Sequence, residues 1–213
     1  MTELLDNDIL LKGACYGFLH DLMAVNCQSL PVGYLAVARY VLDKKLKKIK
    51  LRGESLQVAA RLKKFFSEHE SIEPTPEEAA FASELESSAQ ALAVPLDTGE
   101  SQLLAILVAR GTSGLFTGDK RAIVATEQLL DSVSALATVV GKMKSIEQLV
   151  KRLLEGKDLD ETRALVCSEP DVDRTLTICF QCSSSCIELA DVLTALESYI
   201  NDLRKLSQRV LAT

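Results

Sequence analysis

The sequence predicts an α/β fold: a three-layer α/β/α sandwich around a central parallel sheet, followed by a helical extension. Two short apolar runs, far apart in the chain, each drive straight into a carboxylate: Leu4-Leu5-Asp6-Asn7-Asp8 and Leu115-Phe116-Thr117-Gly118-Asp119. A buried strand delivers a charged side chain to the rim of a sheet in this way. Between and after these runs lie stretches with helical spacing of apolar residues, and strands alternating with helices build right-handed β-α-β units.

The first strand is expected around Glu3–Asp6, and Ile9–Val25 has the apolar spacing of one helix. Leu30–Val37 carries Pro31 and Gly33, the punctuation of a loop with a short strand. Ala38–Leu51 and Leu56–Phe66 read as helices. Thr75-Pro76-Glu77-Glu78 is a helix start, with Thr75 as N-cap, Pro76 at the first position and Glu78 completing a capping box. That helix runs to about Ala89, and Ala91–Val94 reads as a short strand. Thr98 is expected to cap the helix Gly99–Arg110, whose Leu103, Leu104, Ile106 and Leu107 face a core. Gly111 and Gly114 break it before the strand Leu115–Thr117. A helix over Arg121–Leu136 follows, then a strand candidate at Thr138-Val139-Val140. After Ser145 the pattern is helical to the end.

Composition narrows the function classes. Hydrophobic residues make up 47% of the 213, enough to bury a real core. Aromatics are 5% and Trp is absent, which argues against stacking platforms for single-stranded nucleic acid. The net charge of −6 hides a local asymmetry. Arg39–Lys64 holds ten basic and two acidic residues, whereas Phe65–Glu100 holds nine acidic residues and no Lys or Arg. The stretch Lys44–Arg52 can dock on phosphates, or it is a solvated face answered by the acids that follow. No apolar run is long enough to span a bilayer, and no signal peptide is visible. Six cysteines in that context imply reduced thiols and a cytoplasmic location.

In an open parallel sheet, ligands bind outside the carboxyl ends of the strands. Asp6, Asp119 and the pair Asp97 and Glu100 all fall where expected strands end or helices begin. Carboxylate oxygens without nitrogen donors favour Mg²⁺ or Mn²⁺ over zinc, although Asp is also a common N-cap.

At these residues the chain resembles the PIN-domain family. Leu4–Leu11 is similar to that family's first strand, which ends in an Asp. Leu96-Asp97-Thr98-Gly99-Glu100 resembles the segment where a Gly-Glu pair starts a helix. Phe116-Thr117-Gly118-Asp119-Lys120-Arg121 resembles the strand ending in Thr-x-Asp, and Val139–Leu149 its last strand and helix. The resemblance covers residues 1–154 and leaves 155–213 as a helical extension packed on that domain. It implies a Mg²⁺- or Mn²⁺-dependent endoribonuclease, of the kind often found as the toxin of a toxin–antitoxin pair. Asp6, Glu100 and Asp119 would hold the metal, with Asp8 and Asp97 behind them and Lys120 or Arg121 on the substrate phosphate. The family usually carries a further acid on a helix between the first strand and the Gly-Glu segment; here the corresponding region, Tyr34–Leu42, offers Arg39 and no acid before Asp43.

Two other readings stand beside this one. A PIN-like fold short of one acid can serve only to bind RNA or a protein partner such as an antitoxin. Asp6-Asn7-Asp8 also resembles the Asp-x-Asp of haloacid-dehalogenase-like phosphatases, with Asp6 as nucleophile, Asp8 as general acid and Gly118-Asp119 on the metal. In the extension, Cys167, Cys179, Cys182 and Cys186 allow a zinc or iron–sulfur site, yet 179, 182 and 186 also share one helical face, where Cys packs as a small apolar residue. Leu189, Val192, Leu193, Leu196, Ile200 and Leu203 form a stripe on the last helix that is either core or the interface of a partner helix or homo-dimer.

Overall fold

The computed structural model describes residues 2–53 and 55–213. Five strands, β1 (Glu3–Leu5), β2 (Val32–Leu35), β3 (Glu70–Ile72), β4 (Gly114–Thr117) and β5 (Met143–Ser145), form one sheet in the order β3-β2-β1-β4-β5. Every pairing is parallel, and Leu4 sits level with Gly33 on one side and Leu115 on the other. The chain winds outward from β1 to β3, then crosses back to β4. The strand order therefore reverses between β1 and β4, and in open parallel sheets the crevice that binds ligands lies beyond the carboxyl ends at such a reversal. Asp6 and Asp119 follow these two strands.

Helices cover both faces, which is why the three inner strands β1, β2 and β4 are buried at every residue rather than alternating between core and solvent, while the edge strand β3 buries only Ile72. Side chains still alternate in direction. Leu4 and Leu115 enter one core, beneath α5 (Pro76–Ala91), α6 (Thr98–Arg110) and α7 (Lys120–Leu129). Leu5 and Phe116 enter the other, with α1 (Asn7–Tyr16), α2 (Leu19–Cys27), α3 (Ala38–Leu46), α4 (Ser55–Glu68) and α8 (Ile146–Leu153). The extension adds α9 (Leu159–Ser168), α10 (Arg174–Cys179) and α11 (Leu189–Leu206) to this second core, through Val166, Leu176, Phe180, Val192 and Leu196. Most of the α11 stripe is thus core: Val192, Leu196, Ile200 and Leu203 are buried, while Leu189 stays exposed.

Several elements depart from the sequence expectation. The single helix over Ile9–Val25 is two, because Gly17 ends α1 in the left-handed region at φ 82°. Ala91–Val94 is not a strand: the Val94 N–H closes back on the Ala89 carbonyl at 2.9 Å and the segment finishes α5. Ser134–Val139 is a 3₁₀ helix, so the last strand begins four residues later than Val139, at Met143. The tail covers the free edge of β5, where Met143 N–H reaches Val210 and Ala212 N–H reaches Met143. The helix expected to be capped by Thr98 is capped by Asp97 instead and begins one residue earlier, at Thr98. The capping box at Thr75 and Glu78 is present as expected.

Candidate metal centre at the carboxyl ends of the central strands

Asp6 leaves β1 and at once caps α1, its Oδ1 accepting from the Asn7 N–H at 2.6 Å. Its Oδ2 accepts from the Thr117 hydroxyl at 3.1 Å, across to the end of β4. The same hydroxyl oxygen accepts from the Asp119 N–H at 3.1 Å, so one threonine sets the spacing between the two acids. Asp119 caps α7 through Arg121 N–H at 2.8 Å. Glu100 arrives from the first turn of α6, locked in a capping box: Asp97 Oδ1 accepts from Glu100 N–H at 2.8 Å and Glu100 Oε2 from Asp97 N–H at 2.9 Å. Four acids are thus placed by the local rules that start helices, and helix N-termini favour negative charge.

The acids also act on one another through their charges. Burial, reinforced by Asp8 and Asp97, raises the Asp6 carboxyl to about 6. Burial, with Asp97, Asp119 and Asp6 around it, pushes Glu100 up to about 8. Desolvation and like charge both penalise the ionised forms. Asp119 is held low, chiefly by the Arg121 side chain, whose Nη2 lies 2.6 Å from its Oδ2.

A second charge network rims the crevice. Lys12, one turn after Asp8 on α1, sits 2.6 Å from Asp8 and 2.6 Å from Asp173, the cap of α10. Although burial opposes it, these two carboxylates hold the Lys12 ammonium above its ordinary value. Gly118 allows this crowding, since a Cβ there would lie 2.1 Å from Asp8 Oδ2. Lys120 is turned to Glu147 at the start of α8, at 2.6 Å, and lies over the Tyr199 ring of α11. Sequence reading missed Lys12, Glu147 and Asp173: a Lys one turn after an acid is a common helical pair, and nothing local links residue 12 to 173.

The structure brings Asp6, Glu100, Asp119, Asp8 and Asp97 to one crevice without closing them on a point. Among the described residues, the one group of three or more His, Cys, Asp or Glu with donor atoms all within 4.8 Å is His20, Glu68 and His69. Each crevice acid instead turns to a local partner: Asp6 to Thr117, Glu100 to the Asp97 backbone, Asp119 to Arg121. The donor set is oxygen alone, which suits a hard divalent cation. Asp43, nearest to the position where the PIN family carries its extra acid, is exposed and paired with Lys47, the residue that caps the end of its own helix.

The cysteines do not form the four-thiolate site. Cys167 and Cys182 are joined as a disulfide with Cα atoms 5.2 Å apart, which corrects the expectation that all six are thiols. The turn after α10 folds back on the end of α9 and brings them together. Because α10 stops at Cys179, positions 179, 182 and 186 do not share a helical face; Cys179 is buried in the core and Cys186 is exposed. The basic stretch also differs from one reading. Among the described residues, no ion pair joins Lys44–Arg52 to the acids of 65–100; Lys47 pairs with Asp43 and Arg52 with Asp171.

Among the described residues, no helix is long and apolar enough to cross a membrane. In comparisons with known proteins, no family model, no curated protein and no solved structure matches this chain.

Proposed function

We propose that the chain is a PIN-like endoribonuclease that depends on Mg²⁺ or Mn²⁺. The observation that carries this reading is the convergence of Asp6 and Glu100, both buried and both resisting ionisation, with Asp97 and Asp119 at the switch point of a parallel sheet. Buried acids that resist ionisation beside further carboxylates are a mark of a functional site, and an oxygen-only set of this kind suits a cation. Asp6, Glu100 and Asp119 would hold the ion, with Asp8 and Asp97 outside them. When bound, a divalent ion lowers the pKa of a coordinated water and neutralises phosphate charge.

The chain's own groups do the rest. Thr117 fixes Asp6 against Asp119, and Lys12 ties up the Asp8 carboxylate. The Arg121 side chain is mostly exposed and can leave Asp119 for a substrate phosphate once a cation takes its place. Lys120, tied to Glu147, positions the start of α7. Beyond them an apolar groove between α7 and α11, lined by Val124, Tyr199 and Leu203, offers a wall for a base. The solvated cations of Lys44–Lys50 supply a further surface for the RNA backbone. The sealing of Asp8 to Lys12 weighs against the phosphatase reading, which needs Asp8 free as an acid.

The test is cleavage of a panel of structured and single-stranded RNAs by metal-stripped protein, with and without Mn²⁺. Cleavage that needs Mn²⁺ and disappears in Asp6→Asn and Asp119→Asn supports the reading. Binding of RNA with no cleavage of any member would leave only a binding module.

A further inference from the structure

At the opposite, amino-terminal edge of the sheet, the fold assembles a set of donors that the sequence keeps far apart. His20 lies in the first turn of α2, whereas Glu68 ends α4 and His69 leads directly into the edge strand β3. One donor atom from each lies within 4.8 Å of the other two. His20 Nδ1 and Glu68 Oε2 are 3.5 Å apart. Ligand atoms at opposite ends of a tetrahedral edge around zinc stand roughly 3.3–3.5 Å apart, given bond lengths near 2.0–2.1 Å.

We propose that His20, Glu68 and His69 form a zinc site, with solvent completing the coordination, that fastens α2 to the junction of α4 and β3. Two imidazoles and one carboxylate are a borderline donor set that suits Zn²⁺ and not Mg²⁺. The crevice acids, all oxygen, have the opposite preference, so the two centres select different ions. They are also separate in place: the acids follow β1 and β4, whereas His69 precedes β3, the outermost strand.

Nδ1 is the His20 nitrogen turned to Glu68, while Nε2, on the far side of the ring, is enclosed by packing and has no hydrogen-bond partner in the protein. The rings are also pre-positioned. Phe65, fully buried, stacks against His69 at 4.2 Å between centroids and stands 6.1 Å from His20. This apolar floor limits ring rotation and lowers the local dielectric. Lys64 reaches only the other carboxylate oxygen of Glu68, at 3.9 Å, and leaves Oε2 to face His20.

The experiment is equilibrium dialysis of the full, metal-stripped chain against Zn²⁺, with metal counted per chain, and a parallel Co²⁺ titration followed by visible absorption. The expected result is one ion per chain, tetrahedral Co²⁺ bands and a raised Tm, with affinity at least tenfold weaker in His20→Asn and in Glu68→Gln. Glu68 sits exposed at a helix end, so its variant folds even if a histidine variant does not. Asp6→Asn should keep the ion. Retention of no ion, or an ion that survives both His20→Asn and Glu68→Gln, would overturn the proposal; an ion lost only in Asp6→Asn would place it in the crevice and do the same.

Discussion

Replacing Asp6 by Asn should stabilise the metal-free protein at alkaline pH while removing metal-dependent function. The Asp6 carboxyl rises from its ordinary 3.8 to about 6 on folding, mainly through burial. An acid whose folded value is raised binds more protons folded than unfolded between those two values. Its contribution is therefore neutral below pH 3.8, turns into a growing penalty as pH rises from there, and levels off above about 6. Each pH unit is worth about 1.4 kcal/mol, so the ionised carboxylate costs about 3 kcal/mol at pH 8. Asn keeps an oxygen for the Asn7 N–H and escapes the charge, but it loses the stronger charged hydrogen bonds to Asn7 and Thr117. The net gain is about 1–2 kcal/mol. Glu100, raised to about 8, adds a slope of the same sign between pH 4.5 and 8. Urea unfolding of wild type and Asp6→Asn, in chelator, at steps from pH 4 to pH 8.5 is the assay. The wild type should lose stability across that range through these two groups, and the variant should lose less. A variant less stable than wild type by 1 kcal/mol or more at pH 8 would refute the electrostatic account.

Two further outcomes follow from contacts outside the crevice. Lys120→Met leaves Glu147 buried without its partner and should cost about 3 kcal/mol in urea unfolding, largely recovered when Glu147→Gln is added; a single variant within 0.5 kcal/mol of wild type would show the pair to be idle. Cys167 and Cys182 are 15 residues apart, a loop whose closure is worth about 3 kcal/mol, so the double Ser variant should unfold earlier by about that amount, and thiol titration of the unreduced, unfolded wild type should count four free cysteines rather than six.

The crevice was legible in the sequence because its acids obey short-range rules. Asp6 and Asp119 end apolar runs and cap the helices that follow, and Asp97 and Glu100 form a capping box within four residues. What was not legible is long-range or weakly patterned. β3 is a three-residue edge strand with Ile72 alone buried, so His69-Glu70-Ser71 reads as loop. Val139-Val140 has more β-branched character than Met143-Lys144-Ser145, yet the latter pairs with β4 because the tail at Leu211 supports it from the other side. The Cys167–Cys182 bond and the Lys12–Asp173 pair depend on how the extension folds back, which no local spacing encodes. The boundary at residue 154 is likewise soft in physical terms, since Phe180 and Leu196 share a core with Leu5 and Ile9.

The central claim is that Asp6, Glu100 and Asp119 hold a divalent cation. A crystal soaked in Mn²⁺, with the ion located by anomalous scattering, tests it most directly. The account predicts an ion about 2.0–2.3 Å from carboxylate oxygens of at least two of the three acids, with Arg121 released from Asp119. A crevice that stays empty at saturating Mn²⁺, with the Arg121–Asp119 pair intact, would contradict it.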